Sequence, residues 1–302
     1  MPKEKKKLLI LSIMEILRKE TDVYHTLRQA AIIERLNRDY QLTSTRKSVR
    51  QNLGDLQDAG YPIKFNHGWY YDHEFSPAEL DYLLDCALSG GHMSDEERSS
   101  LVTRLKTLGG DCYKAAADVQ RRRPAASQFL ANTTTLRKAI DEGKQVTFHY
   151  GDWDVDLELH PRKAANGRVK TYRVNPYFIV GTNGRTYLIC NVDKHDGLCH
   201  FRVDRIMDAA VVSRNAKQVE QVTGEETDLA SYLTNHPYMY SGEVHEYRLK
   251  VDRCAINDVL DWFGTDLAFD NVTDTTAECV VRSDRVSMEF WLRRYAEHAR
   301  LL

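Results

Sequence analysis

A chain of 302 residues with 42% hydrophobic content can build more than one core, since a single domain usually holds about 100 to 200 residues. Its formal net charge of −2 excludes a polybasic chain held to nucleic acid by bulk charge, so any such surface must arise from local segregation. The six cysteines, at 86, 112, 190, 199, 254 and 279, contain no CxxC or CxxH pair, a scatter that suits thiols in a reducing cytosol better than disulfides or a zinc knot.

The Lys-rich start and the apolar stretch Leu8 to Ile13 resemble a short signal sequence, but Glu15, Arg18, Lys19 and Glu20 follow with no small-residue cleavage site. No apolar run reaches the roughly 18 residues of a membrane helix. The expectation is a cytoplasmic protein without a membrane segment.

Residues 1–74 read as a first domain. Leu9, Ile10, Ile13, Ile16 and Leu17 share one helix face between Lys5 and Lys19. A second helix is predicted from near Thr26, carrying Ile32, Ile33 and Leu36. The stretch Thr43 to Leu53 opens a third, capped by Thr43 or Ser44. Val49, Leu53 and Leu56 form its buried stripe, which turns Arg46, Lys47, Arg50 and Gln51 outward on its N-terminal half. Arg and Gln can bond base edges in a major groove, and Lys can meet phosphate. Gly60 ends the helix, and Tyr61–Phe65 and Gly68–Tyr71 alternate about Asn66-His67-Gly68 like a two-stranded wing. Ser44, Thr45, Arg46, Lys47, Arg50, Gln51, Lys64 and His67 are the candidate contacts to double-stranded DNA. The alternative is a small three-helix domain with a solvated basic face.

The segment resembles the winged helix-turn-helix at the front of WYL regulators. Ser44, Arg46, Ser48 and Val49 match the helix start of that family, and Gly60, Pro62 and Ile63 match its exit.

Residues 75–143 read as a helical connector. Ser76-Pro77-Ala78-Glu79 and Ser94-Asp95-Glu96-Glu97 are capping boxes on either side of the Gly90-Gly91 break. Arg121-Arg122-Arg123-Pro124 reads as a solvated turn, and a further helix is predicted from Thr134 to Glu142, ended by Gly143. Connectors of this kind often dimerise, and a reader of two half-sites usually works as a homodimer.

From Lys144 the apolar period changes from helical to alternating. Strands are predicted over Gln145–Tyr150, Val155–His160, Lys170–Val180 interrupted by Pro176, Thr186–Ile189 and Phe201–Val203, with Asn183-Gly184 as a tight hairpin turn. Such a run of short strands implies a small barrel over 144–212. The segment resembles the WYL domain, an Sm- or SH3-like barrel. The match runs through Phe148-x-Tyr150, Asn175-Pro176-Tyr177, Asn183 to Leu188, and Phe201 to Ile206, with Thr186 standing where the name-giving Trp is usual. The resemblance implies a nucleotide or nucleic-acid-like effector. Tyr150, Lys170, Tyr172, Arg185, Tyr187, Arg202 and Arg205 are the candidate effector contacts, because they offer cations and aromatic faces suited to phosphates and bases. For Tyr187 a place in the core, and for Arg205 a pairing with Asp204 or a backbone carbonyl, remain open.

Residues 213–242 read as a polar linker with a helical stretch around Leu229–Leu233. In 243–302 a strand over Glu246–Val251, a helix over Ala255–Phe263, a strand over Thr276–Arg282 and a helix over Val286–Ala299 are predicted. The order β-α-β-β-α resembles the ferredoxin-like, WCX-like extension that follows WYL domains, without the final strand usual there.

The chain is thus expected to be an α+β multidomain protein: a ligand-responsive DNA-binding transcription regulator that is not an enzyme. No GxxxxGK[ST], GxSxG or HExxH motif is present. Asp152-Trp153-Asp154-Val155-Asp156 lacks the Gly and Glu of a calcium loop, and His149, His160, His195 and His200 lack metal-ligand spacing, so no metal or cofactor is expected. An RNA- or single-strand-binding accessory module without a promoter target is the alternative.

Overall fold

A computed structural model describes residues 3–89, 93–114, 128–193, 195–224 and 228–302. They fall into two compact units, Met1–Arg123 and Pro124–Leu302. Among the described residues there are ten α-helices and three sheets, and no helix is long and apolar enough to cross a membrane. The Gly90-Gly91 break and the Arg121–Pro124 turn lie outside the described residues.

In the first unit α1 (Lys3–Glu20), α2 (Gln29–Tyr40) and α3 (Arg46–Asp58) are followed by the antiparallel pair β1 (Ile63–Phe65) and β2 (Trp69–Tyr71). The apolar stripes read from the sequence meet in one core of Leu9, Ile13, Ile16, Leu17, Ile32, Leu36, Val49, Leu53, Leu56 and Ile63. Helix α2 begins at Gln29 and not near Thr26, because Leu27 is held in extended form by reciprocal backbone hydrogen bonds to Trp69, at 2.7 and 2.8 Å. The cap of α3 also differs from expectation. Thr45, not Thr43 or Ser44, has the extended N-cap backbone and accepts from the Ser48 N–H. Beyond α3, Gly60 takes a left-handed φ of +85°, which costs glycine little.

Helices α4 (Pro77–Ser89) and α5 (Asp95–Leu108) start at the two predicted boxes. Ser94 Oγ accepts from the Glu97 N–H at 3.1 Å, while Glu97 Oε2 accepts from the Ser94 N–H at 3.0 Å.

The second unit opens with α6 (Phe129–Asp141), which begins ahead of the predicted Thr134. Strands β3 (Lys144–Trp153), β4 (Leu159–Pro161), β5 (Thr171–Thr182), β6 (Arg185–Val192), β7 (Cys199–Arg202) and β8 (Ile206–Asn215) form one sheet in the order β4-β3-β5-β6-β7, with β8 also on β3. Helix α6 packs across β8, β5 and β3.

The second unit departs from expectation in four places. The predicted small barrel is not closed: the path runs from β4 to β7, β8 joins it on β3, and no β7–β8 pairing is formed among the described residues. The predicted strand from Val155 shrinks to β4, because Val155 is 95% exposed and Leu157 takes a left-handed φ of +63° in a turn. Pro176 does not interrupt β5, since a bulge between Pro176 and Phe178 absorbs the missing N–H. Strand β8, unforeseen, runs into the stretch read as linker. The hairpin at Asn183-Gly184 forms as expected, with φ of +50° and +65°.

Three buried amides tie the sheet together. Gln145 Nε2 on β3 donates to Asn175 Oδ1 on β5 at 2.8 Å, and Asn175 Nδ2 donates to Asn191 Oδ1 on β6 at 3.0 Å. Asn191 Nδ2 then donates to the carbonyls of His195 and Gly197.

After the short helices α7 (Glu220–Thr223) and α8 (Leu229–Asn235), a last sheet is built from β9 (Val244–Asp252), β10 (Phe269–Asp270), β11 (Thr276–Asp284) and β12 (Ala299–Leu301) in the order β10-β11-β9-β12. Helices α9 (Ile256–Phe263) and α10 (Arg285–Arg294) connect its strands, and Val259, Phe263, Met288 and Trp291 form the core with Leu249, Val251, Cys279 and Val281. The final strand expected to be missing is present as β12, paired antiparallel with β9 through Ala299–Val251 and Leu301–Leu249. Helix α10 is correspondingly shorter than predicted.

Candidate functional site

Helix α3 owes its orientation to Val49, Leu53 and Leu56, all buried against α1 and α2. A stripe on one side fixes what stands on the other. Arg46, Lys47, Arg50 and Gln51 are exposed. Gln51 donates to Asp55 Oδ1 at 2.8 Å. No ion pair is formed by Arg46, Lys47 or Arg50 among the described residues, and the first turn of α3 carries no acidic residue. Thr45 spends its hydroxyl on the cap, whereas the half-buried Ser44 Oγ has no hydrogen-bond partner among the described residues. On the hairpin, Lys64 pairs with Asp72 at 2.5 Å. His67 sits exposed at the tip with φ +56°, near Phe65, which is exposed and lies edge-on to Trp69.

In the second unit, strand pairing gathers a different set. Tyr150, Tyr172, Phe148 and Phe201 form a buried aromatic cluster with ring centroids 4.9–6.2 Å apart. Cations cover its edge. Lys170 Nζ lies 4.5 Å from the Tyr172 ring centroid and the Arg162 guanidinium 4.9 Å from that of Tyr150. Arg162 also makes a two-bond pair with Asp152, at 2.6 and 3.0 Å, and Arg205 reaches the same carboxylate at 3.3 Å. Arg202 pairs with the buried Asp204 through bonds of 3.1 and 2.7 Å, and its backbone N–H donates to the Tyr150 hydroxyl.

Four cations thus face two carboxylates, leaving a local positive excess. The Arg162 guanidinium holds the Asp152 carboxyl below the usual carboxylate range, against the effect of burial. Burial pushes the Tyr150 phenol up, so it stays neutral where it accepts from the Arg202 N–H.

The sequence candidates are not all brought together. Tyr150, Lys170, Tyr172, Arg202 and Arg205 share this edge. Tyr187 is core, packed with Val180, Ile189 and Met239, and touches the group only as the register partner of Arg202. Arg185 lies exposed at the hairpin tip, with no ion pair among the described residues. Arg205 pairs with Asp152 and not with its neighbour Asp204. Arg162 was missed by sequence reasoning, because only the pairing of Gly151 with Pro161 brings it under Tyr150. The acidic run 152–156 divides, with Asp152 turned to the arginines and Asp156 to His160 at 2.7 Å. A separate pocket of about 940 Å³ carries Asp196, Asp228 and Glu243, the wrong sign for an anion.

No curated protein matches the chain. Among solved structures, a similarity is found to proteasome accessory factor B/C (PafBC) of Arthrobacter aurescens, at 15% identity and a TM-score of 0.31. It covers 98% of this chain and 46% of that one, so this chain spans less than half of that protein's length. Residues 131–211 match the model of the WYL family, and this chain therefore contains a WYL domain, one that takes in most of α6 as well as the strands.

Proposed function

We propose that the chain is a DNA-binding transcription regulator whose WYL domain senses a nucleotide or a short oligonucleotide. In this reading residues 1–74 form a winged helix-turn-helix, 75–143 a connector whose last helix, α6, is shared with the WYL domain, and 243–302 a ferredoxin-like extension joined through 213–242. The observation that carries it is the exposed trio Arg46, Lys47 and Arg50 at the start of α3, with no acidic partner among the described residues. Basic side chains at the N-terminal half of a helix fixed by its opposite face are what a major-groove reader requires. The hairpin after α3, with Lys64 and His67 exposed, supports the wing. For the extension, support comes from the order β-α-β-β-α-β and the strand sequence β10-β11-β9-β12.

For the sensor, support comes from the cations gathered over the edge of the aromatic cluster, a set that meets phosphate with charge. A homodimer on paired half-sites, acting in the cytoplasm, completes the proposal. An effector then regulates only to the extent that it prefers one arrangement of the domains over another.

The test is a mobility shift on the DNA upstream of the protein's own gene, run over a salt series. A sequence-selective, salt-dependent shift that weakens in Arg46→Ala is expected. No selective shift, with or without added oligonucleotide, overturns the reading. Selective binding to single strands instead would favour the accessory-module alternative.

A further inference from the structure

Two distant segments of the last sheet bring three chemically different donors to one point. Asp252 ends β9, Cys254 follows in the turn Arg253–Ala255, and His298 immediately precedes β12. His298 Nδ1 lies 3.1 Å from Asp252 Oδ2 and 3.8 Å from Cys254 Sγ, and the three donor atoms all lie within 4.8 Å of one another. Backbone bonds hold the two segments in place. The Asp252 N–H donates to the His298 carbonyl at 2.8 Å, and the Arg253 N–H to the Thr275 carbonyl at 2.8 Å.

We propose that Asp252, Cys254 and His298 bind a divalent transition metal of the zinc class, with a fourth position open to solvent. Nδ1 of His298 cannot at once donate to the Asp252 carboxylate and accept from the Cys254 thiol. If Nδ1 carries a proton and gives it to Asp252, it has no lone pair left for the thiol; if it accepts from the thiol, its lone pair faces a carboxylate. A cation at the centre turns three converging lone pairs from a conflict into a ligand set.

The spacing agrees. With metal–sulfur near 2.3 Å and metal–nitrogen or –oxygen near 2.0–2.1 Å, tetrahedral geometry puts N···S at about 3.6 Å and N···O at about 3.4 Å. The observed 3.8 and 3.1 Å lie within a small side-chain rotation of those values. A mixed N, S, O set selects zinc-like ions over magnesium or calcium. Thiolate and carboxylate together balance a doubly charged ion, and the Cys254 proton leaves to solvent on coordination.

Two other clusters are weaker. Asp22, His25 and Cys112 come within the same spacing, but Asp22 Oδ1 already accepts from the N–H groups of Tyr24 and His25, and Cys112 donates to the Glu20 carbonyl. Asp156, Glu158 and His160 are exposed on the turn before β4 and on β4 itself, where Asp156 Oδ1 accepts from the Glu158 N–H.

The experiment titrates the reduced full-length protein with cobalt(II). A near-ultraviolet thiolate-to-cobalt charge-transfer band should saturate at one equivalent and be displaced by zinc. Cys254→Ser should abolish the band, and His298→Gln should weaken cobalt binding by at least about tenfold. Cys112→Ser should leave it unchanged. Zinc should also raise the unfolding temperature of the wild-type protein but not of Cys254→Ser. Because these side chains are solvent-exposed, the variants should fold, which circular dichroism checks. Absence of the band at millimolar cobalt, a band undiminished in Cys254→Ser, or a band lost in Cys112→Ser would each overturn the site.

Discussion

Arg46 and Lys47 occupy the first turn of α3, where the helix presents its positive end and no acidic residue offsets them. A cation there opposes the helix dipole at a cost of about 0.3–1 kcal/mol, and a carboxylate gains a similar amount. Replacing both by Glu reverses the sign twice. With allowance for solvent screening, roughly 1–2 kcal/mol of extra stability is expected. For a unit of this size that corresponds to a rise in Tm of several degrees, about 2–8 °C per kcal/mol. Thr45 is untouched, so the cap survives. Binding to operator DNA should move the other way. Losing two phosphate-neutralising side chains lowers the slope of log K against log salt by about 2, and losing a bidentate base contact removes about 1–3 kcal/mol besides. Thermal unfolding and mobility shifts over a salt series, on the same preparations, read both. A double variant less stable than the parent, or one binding DNA with an unchanged salt slope, would rule out this role for the start of α3. Stability gained with binding intact would show that the basic face is only a solvated surface.

Further predictions concern the second unit and the connector. Arg162→Met keeps the aliphatic stem over Tyr150 while removing the charge. Affinity for a short oligonucleotide in calorimetry should fall about tenfold, near 1.4 kcal/mol, whereas Arg185→Ala should change it little; equal losses would deny that the aromatic edge is the site. His200 is held down to about 4 by burial, with the neighbouring His236 adding to the effect. An unfolded His takes its proton near 6.5. The unfolded chain therefore binds more protons between about 6.5 and 4, and stability should fall as pH drops through that window, by up to roughly 3 kcal/mol. His200→Gln should flatten the pH dependence of the urea midpoint between pH 7 and 5, and an unaltered dependence would count against this assignment. Ser94→Ala removes one half of the capping box on α5 and should cost about 0.5–2 kcal/mol, readable as a lower urea midpoint.

What could be read from the sequence is what local chemistry decides. Asn183-Gly184 had to be a hairpin because both residues tolerate positive φ, and the Ser94 and Ser76 boxes announce helix starts wherever they stand. The outward set on α3 followed from the spacing of Val49, Leu53 and Leu56. What escaped depends on partners distant in sequence. Strand β8 begins Ile206-Met207-Asp208-Ala209-Ala210, with a positive φ at Asp208. Its strand character comes from lying along β3, with bulges that scramble its alternation. Arg162 follows the same logic: no neighbour marks it, and the β3–β4 pairing alone carries it to Tyr150. Strand β12 is too short to show any period, and its place is set by Val251 across the sheet.

The chain of Gln145, Asn175 and Asn191 bears on how faithfully the WYL sheet assembles. Apolar side chains tolerate sliding past one another, since one Val contact resembles the next, whereas an amide buried beside a methyl group forfeits about 1–3 kcal/mol for each unmatched donor or acceptor. Strands β3, β5 and β6 therefore have one alignment in which all three amides meet. A slip by two residues, which keeps the same faces inward, would separate them. The amides thus act as a combination lock on strand alignment, rejecting the near-native pairings that hydrophobic burial alone would accept. An Asn175→Val chain should lose fidelity of assembly, populating misaligned and aggregation-prone forms, out of proportion to its loss of stability.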